Sequence, residues 1–274
     1  MHQVIERDAN REMIDMQSEP LLNVTDLTVN YDGVVALDHV SLTAPAGQLY
    51  GLIGPNGSGK STFLAAISRH GKVTEGRLEF AGRDYTGEPA FVAARLGISR
   101  SFQTVRLQED LSVLENAMVG ADHHRITRPV IFNWLRLVRN RREEAECRET
   151  ALSALERVGL VDYKDQFPSS LSYGMQRRVE IARCLASDPK LLLLDEPTAG
   201  MSPAETDDIS ELLMGLRDSG LTQILVAHDL SMIHAVTDHV FALNFGKLIA
   251  EGNSVDVAND PDVRKAYIGV ADEE

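Results

Sequence analysis

Cysteine is almost missing from this sequence: Cys147 and Cys184 stand alone, with no paired spacing and no accompanying metal-ligand pattern. That excludes a disulfide scaffold or a zinc ribbon and suits a reducing cytoplasm. Long apolar runs are missing too. No stretch approaches the roughly 20 residues a helix needs to cross a bilayer, so the chain is not expected to span a membrane by itself. The first nineteen residues, Met1 to Glu19, alternate charged and apolar positions without the apolar block of a secretory signal. Residues 1–20 therefore read as an extension, a flexible arm or short extra helix, ahead of a domain spanning 21–274. Positive charge is also short: 27 Lys and Arg stand against 41 Asp and Glu, a net charge of −14. A general nucleic-acid binder is excluded, because neutralising phosphates requires a basic face.

What is present is an ordinary globular balance, 43% hydrophobic and 25% charged, long enough for one large domain or two lobes sharing a core. Leu22–Tyr31 alternates as a strand, with Leu27, Val29 and Tyr31 on one face. Short strand signals follow at Val40–Leu42, Leu49–Ile53 and Leu78–Phe80. From about Ser112 to Ala186 the pattern turns helical. Two four-residue apolar runs then follow, Leu191–Leu194 and Ile224–Ala227, with a helical stretch from Pro203 to Arg217 between them. Such runs suit strands buried on both faces of a parallel sheet. Val240–Leu243 and Lys247–Ala250 read as a closing pair of strands. The expected class is α/β, with a mostly helical lobe inserted near residues 100–185.

The strongest chemical signal is Gly54-Pro55-Asn56-Gly57-Ser58-Gly59-Lys60-Ser61, which fits G-x-x-x-x-G-K-[ST]. It stands between the apolar strand Leu49–Ile53 and a helical run beginning at Thr62, the setting this motif requires and a chance glycine turn would lack. Glycines let successive N–H groups turn inward onto phosphate oxygens, and the following helix adds its positive end. Lys60 supplies a mobile charge for the β- and γ-phosphates, and the Ser61 hydroxyl can ligate magnesium. Four leucines place Asp195 and Glu196 at the carboxyl end of a buried strand, where nucleotides bind in open α/β sheets. Two adjacent acids in a loop are usually just solvated. Here Asp195 can hold the metal through water, and Glu196 can orient and deprotonate the attacking water.

A phosphate loop and a carboxylate strand mean only a P-loop NTPase. Leu171-Ser172-Tyr173-Gly174-Met175 narrows the reading, because it resembles the L-S-G-G-Q signature of ABC (ATP-binding cassette) ATPases and stands twenty-three residues before Asp195, as in that family. Tyr31, twenty-three residues before Gly54, resembles the aromatic that stacks on adenine, although it could be an ordinary strand aromatic. Ser101-Phe102-Gln103 resembles the glutamine loop, and Val226-Ala227-His228-Asp229 the segment carrying the switch histidine. The resemblance runs from about Leu21 to Gly269. It implies a RecA-like core, a small antiparallel β-subdomain and a helical subdomain at about 97–186.

The cofactors it implies are ATP and Mg2+, held by Gly54 to Thr62 and by Tyr31. The metal would be held by Ser61, Asp195 and Gln103, with Glu196, His228 and Gln103 as the catalytic set. Ser172 reads as the N-cap of a helix whose Val179, Ala182, Leu185 and Ala186 share a face. In the family, Ser172 and Gly174 would meet the γ-phosphate bound to a second ATP-binding subunit, identical or not. Two departures stand out: Met175 replaces the closing Gln and Tyr173 the first Gly. A third lies beyond the carboxylates, where Ser202 stands in place of an Asp.

Phe102-Gln103-Thr104-Val105-Arg106-Leu107, Arg177-Arg178-Val179-Glu180 and the tail Ala266-Tyr267-Ile268-Gly269 are similar to the ATP-binding subunits of branched-chain amino acid importers. The partners implied are transmembrane permease subunits and, indirectly, a solute-binding protein, at the cytoplasmic face of the inner membrane. A lipopolysaccharide-export ATPase and a soluble iron–sulfur assembly ATPase are the rival readings. The 69-residue gap from Gln103 to Ser172 is too short for the coiled-coil insert of a repair ATPase. Residues 121–143 carry six arginines against Asp122 and Glu143. That segment reads either as an exposed helix with one apolar face or as a surface for anionic headgroups or membrane subunits, each basic residue then contributing about 1 kcal/mol. His123 and His124 read as solvated.

Overall fold

The computed structural model describes residues 20–101, 103–121, 136–227 and 229–271, with side chains left aside at 136–142 and 268–271. The expectations for Met1–Glu19, for His123 and His124, for the side chains of the arginine-rich segment and for His228 fall outside the described residues.

Two sheets organise the chain. Strands β1 (Leu22–Tyr31), β2 (Val34–Ala44), β4 (Glu75–Phe80) and β5 (Arg83–Asp84) form an antiparallel sheet in the order β2-β1-β4-β5. The second sheet has six strands in the order β10-β9-β3-β8-β7-β6. Its members are β3 (Leu49–Ile53), β6 (Ile98–Arg100), β7 (Leu191–Asp195), β8 (Thr222–Val226), β9 (His239–Asn244) and β10 (Lys247–Gly252). All its pairings are parallel except the closing hairpin β9–β10.

The four-leucine run is explained by the two cores on either side of this sheet. Leu191 and Leu193 join Ile224 and Val226 in a core shared with the antiparallel sheet and with α1 (Lys60–Ile67), which buries Phe63, Leu64, Ala66 and Ile67 there. Leu192, Leu194 and Leu225 point the other way, into a core shared with α6 (Pro203–Asp218) through Ile209, Leu213 and Leu216. Period-two alternation thus persists, but both faces are apolar.

Between β6 and β7 the chain forms α3 (Val113–Ala121), α4 (Arg136–Arg157), two 3-10 turns (Val161–Tyr163 and Pro168–Ser170) and α5 (Tyr173–Leu185). These helices pack on one another through Val113, Leu114, Ala117, Ala151, Ala154, Leu155, Val179 and Ala182. The remaining helices among the described residues are α2 (Ala90–Leu96), α7 (Leu230–Val236), α8 (Ser254–Asn259) and α9 (Pro261–Ala271). Three boundaries differ from the sequence reading. The strand expected at Ile224–Ala227 starts two residues earlier, because Thr222 and Gln223 pair with Leu191 and Leu192. The helix after the phosphate loop begins at Lys60 rather than Thr62. Ile98–Arg100 is a strand of the core sheet, so that sheet reaches a few residues into the range read as helical lobe.

Candidate nucleotide site

The phosphate loop leaves β3, all five of whose residues are buried, and enters α1 at Lys60. Two glycines are required by geometry. Gly54 has φ 148°, and a Cβ there would stand 2.1 Å from the Leu243 carbonyl oxygen. Gly59 has φ 106°, and its Cβ would meet the Ala36 carbonyl at 2.7 Å. Both values lie in the region that favours glycine. The loop is therefore wedged between the end of β9 and the β1–β2 hairpin, and it is further fixed by Gly246 N–H donating to the Ser58 carbonyl at 3.0 Å. Asn56 and Gly57 are exposed, so the loop opens outward, whereas Ser58 is buried and its hydroxyl has no partner among the described residues.

Lys60 is 6% exposed, and its ammonium donates to the carbonyls of Gly54 (2.8 Å) and Pro55 (2.9 Å). Burial lowers its pKa, and the charges of Glu196 and Asp195 partly offset this. The next residue, Ser61, donates its hydroxyl to Asp195 Oδ1 at 3.3 Å. Asp195 is 3% exposed at the end of β7, and its other oxygen accepts from Arg100 Nη2 at 3.1 Å. A buried carboxylate bonded to a hydroxyl whose chain neighbour carries a buried ammonium is a set of groups suited to a magnesium–nucleotide complex.

Glu196 has φ 49°, a left-handed backbone for a residue with a Cβ, which costs on the order of 1 kcal/mol. Its N–H donates to the Val226 carbonyl (2.9 Å) and its carbonyl accepts from Ala199 N–H (3.2 Å). The neighbouring strand thus holds the strained turn that follows β7 at the carboxyl end of the sheet. The Glu196 carboxylate accepts from Gln103 Nε2 at 3.0 Å, joining the exposed glutamine to the carboxylate strand.

Ser172 caps α5, its hydroxyl accepting from Met175 N–H at 3.3 Å. Ser172 and Tyr173 are exposed and Gly174 is buried. Met175, the departure from the signature pattern, is partly buried against the helical core. Ser202 caps α6 in a reciprocal box with Glu205, whose carboxylate accepts from the Ser202 N–H (3.0 Å) and hydroxyl (2.9 Å). These bonds hold the Glu205 carboxyl below its usual range, with the Gly174 N–H adding to them. Tyr31 ends β1 at the hairpin tip and is 45% exposed. The structure groups Lys60, Ser61, Asp195, Glu196 and Gln103. It leaves Tyr31 on the hairpin, and Ser172 with Gly174 at a separate helix start.

Sequence reasoning passed over three partners. Arg177, fully buried, donates to Glu180 at 2.6 Å and to the Gln103 carbonyl at 2.7 Å, tying the glutamine loop to α5. The i,i+3 spacing of opposite charges signalled the first bond, and nothing local signalled the second. Glu205 was legible as the end of an S-x-x-E capping box. Arg100, on a strand too short to announce itself, holds Asp195.

The sequence model "ABC transporter" matches residues 37–199, and "Branched-chain amino acid ATP-binding cassette transporter" matches residues 247–273. The chain is 38% identical to the high-affinity branched-chain amino acid transport ATP-binding protein LivG of Salmonella typhimurium, over 93% of this chain and 100% of that one. Among solved structures it is similar to the ADP conformation of MJ1267, an ATP-binding cassette of an ABC transporter (30% identity, TM-score 0.79, 92% of this chain and 100% of that one). It is also similar to the dimeric post-hydrolysis state of the cassette MJ0796 bound to ADP and Pi (27% identity, TM-score 0.70, 85% and 98%). With the first model covering more than half of its length, the chain belongs to the ABC transporter family, as an ATP-binding cassette whose ATP hydrolysis is coupled to transport.

Proposed function

We propose that this chain energises the uptake of branched-chain amino acids or related small polar solutes through separate membrane permease subunits at the cytoplasmic face of the membrane. The observation that carries this reading is the match of residues 247–273 to the branched-chain family model, beyond the part that ABC cassettes share, together with likeness to LivG along 93% of the chain.

In this reading Lys60 leaves the Gly54 and Pro55 carbonyls for the β- and γ-phosphates, while N–H groups of the loop from Gly57 to Thr62 face their oxygens. Ser61 and Asp195 would hold a magnesium ion, with Gln103 adding a contact. The ion supplies neutralising charge at the phosphate oxygens. Glu196 orients the attacking water and accepts its proton as the new P–O bond forms and the bond to the ADP oxygen breaks, that oxygen keeping the electron pair. His228 assists at the γ-phosphate, and Tyr31 stacks on the adenine. Ser172, exposed at the start of α5, and Gly174 beside it complete the site of a second subunit, so that two nucleotides are enclosed in a head-to-tail pair. The 3.0 Å bond from Gln103 to Glu196 supports a glutamine that senses the state of the site and passes it to the permease. A solute-binding protein would deliver the cargo outside.

The test is uptake of radiolabelled leucine at low external concentration by cells lacking the gene. A wild-type copy restores uptake and a Lys60→Ala copy does not. Uptake indifferent to the gene, for leucine and for other small polar solutes, would remove the cargo assignment.

A further inference from the structure

The tail that distinguishes this chain from a general cassette reaches the phosphate loop itself. Helix α9 is anchored by Val263, which is 3% exposed, and one turn later Tyr267 points its hydroxyl at the loop. The Gly54 N–H donates to the Tyr267 hydroxyl oxygen at 2.9 Å, across 213 residues of sequence. Gly54 is buried and confined by the Leu243 carbonyl. It is held from both ends, because its own carbonyl accepts from Lys60 Nζ at 2.8 Å. Burial raises the phenol's pKa, so the hydroxyl stays neutral at physiological pH.

The two holds are not equivalent. Lys60 must release the Gly54 carbonyl to reach phosphate, whereas the phenol has no reason to move. We propose that Tyr267 is a positioning residue for nucleotide binding, which fixes the first residue of the phosphate loop while Lys60 changes partners. The proposal rests on the nucleotide placement given above. It gives the tail a task inside the ATPase. A helix docked only for packing would need an apolar residue here, not a hydroxyl aimed at a backbone donor.

Tyr267→Phe removes one oxygen and keeps the ring. In the full-length chain, calorimetry should show MgATP binding weakened roughly 3- to 10-fold, the range of a single hydrogen bond to a buried donor. At saturating ATP the turnover should stay within about two-fold, since the hydroxyl does not touch the reacting atoms. The direct reading is amide hydrogen exchange, with Gly54 exchanging roughly tenfold faster or more in the variant. Val257→Ala, which truncates a buried side chain on the neighbouring helix α8, is the control: it lowers the melting temperature but leaves Gly54 protected and MgATP affinity unchanged. The proposal is overturned if Tyr267→Phe behaves like Val257→Ala, less stable but with neither Gly54 exchange nor affinity altered. Failure of MgATP to slow exchange at Gly57 to Thr62 in the wild type would show a different fault. That outcome would overturn the nucleotide placement and the proposal with it.

Discussion

At the scale of the residue, Lys60 is the least replaceable group of the site. It is nearly buried and satisfied by two loop carbonyls, and it is the cation inside the loop. Lys60→Ala should reduce MgATP binding in calorimetry below detection, and unchanged affinity would place the nucleotide elsewhere. The residues around it were readable because their chemistry is local: a glycine pattern between strand and helix, and two acids after four leucines. Tyr267 was readable only as a subfamily habit, since nothing in Ala266-Tyr267-Ile268-Gly269 says that its hydroxyl ends 2.9 Å from a backbone nitrogen far back in the chain. The Arg177 bond to the Gln103 carbonyl was hidden for the same reason.

At the scale of the element, α5 carries both the signature and the buried Arg177–Glu180 pair, each side chain fully enclosed. Removing Arg177 takes from the buried Glu180 its 2.6 Å partner and leaves the Arg183 guanidinium at 3.5 Å, so the cost should approach the roughly 3–5 kcal/mol of breaking a buried pair. Arg177→Ala should therefore lower the melting temperature strongly and free the glutamine loop. A variant as stable as wild type would show that Glu180 is relieved by other means. Cys184 on the same helix and Cys147 on α4 are both buried thiols. Burial pushes the Cys184 thiol up to about 11. Native protein should resist maleimide at neutral pH and take two labels only after denaturation; labelling at Cys184 in the folded state would contradict its place in the core. Long elements with a clear period, β1, α5 and α6, were legible in the sequence, and β7 by its unbroken apolar run. The two-residue β5, the three-residue β6 and the seven-residue α2 were not, because a pattern that short cannot establish a period and tertiary pairing decides it.

At the scale of the whole molecule, half of the inferred chemistry lies on surfaces that one chain cannot complete. The phosphate loop opens outward at Asn56 and Gly57, and the signature turn is exposed at Ser172 and Tyr173. In the proposed head-to-tail pair each signature would meet the other loop, which would couple nucleotide state to the separation of two subunits and so to any membrane helices docked on them. Glu196→Gln keeps the shape and hydrogen bonding of the carboxylate but cannot accept a proton, so hydrolysis should fall about 10²- to 10⁴-fold while ATP stays bound. Sedimentation velocity of Glu196→Gln with and without MgATP tests the account most directly. The account predicts a shift from one chain to two on adding MgATP, reversed by its removal. A variant that binds MgATP and still sediments as a single chain would contradict a site shared between two copies of this subunit.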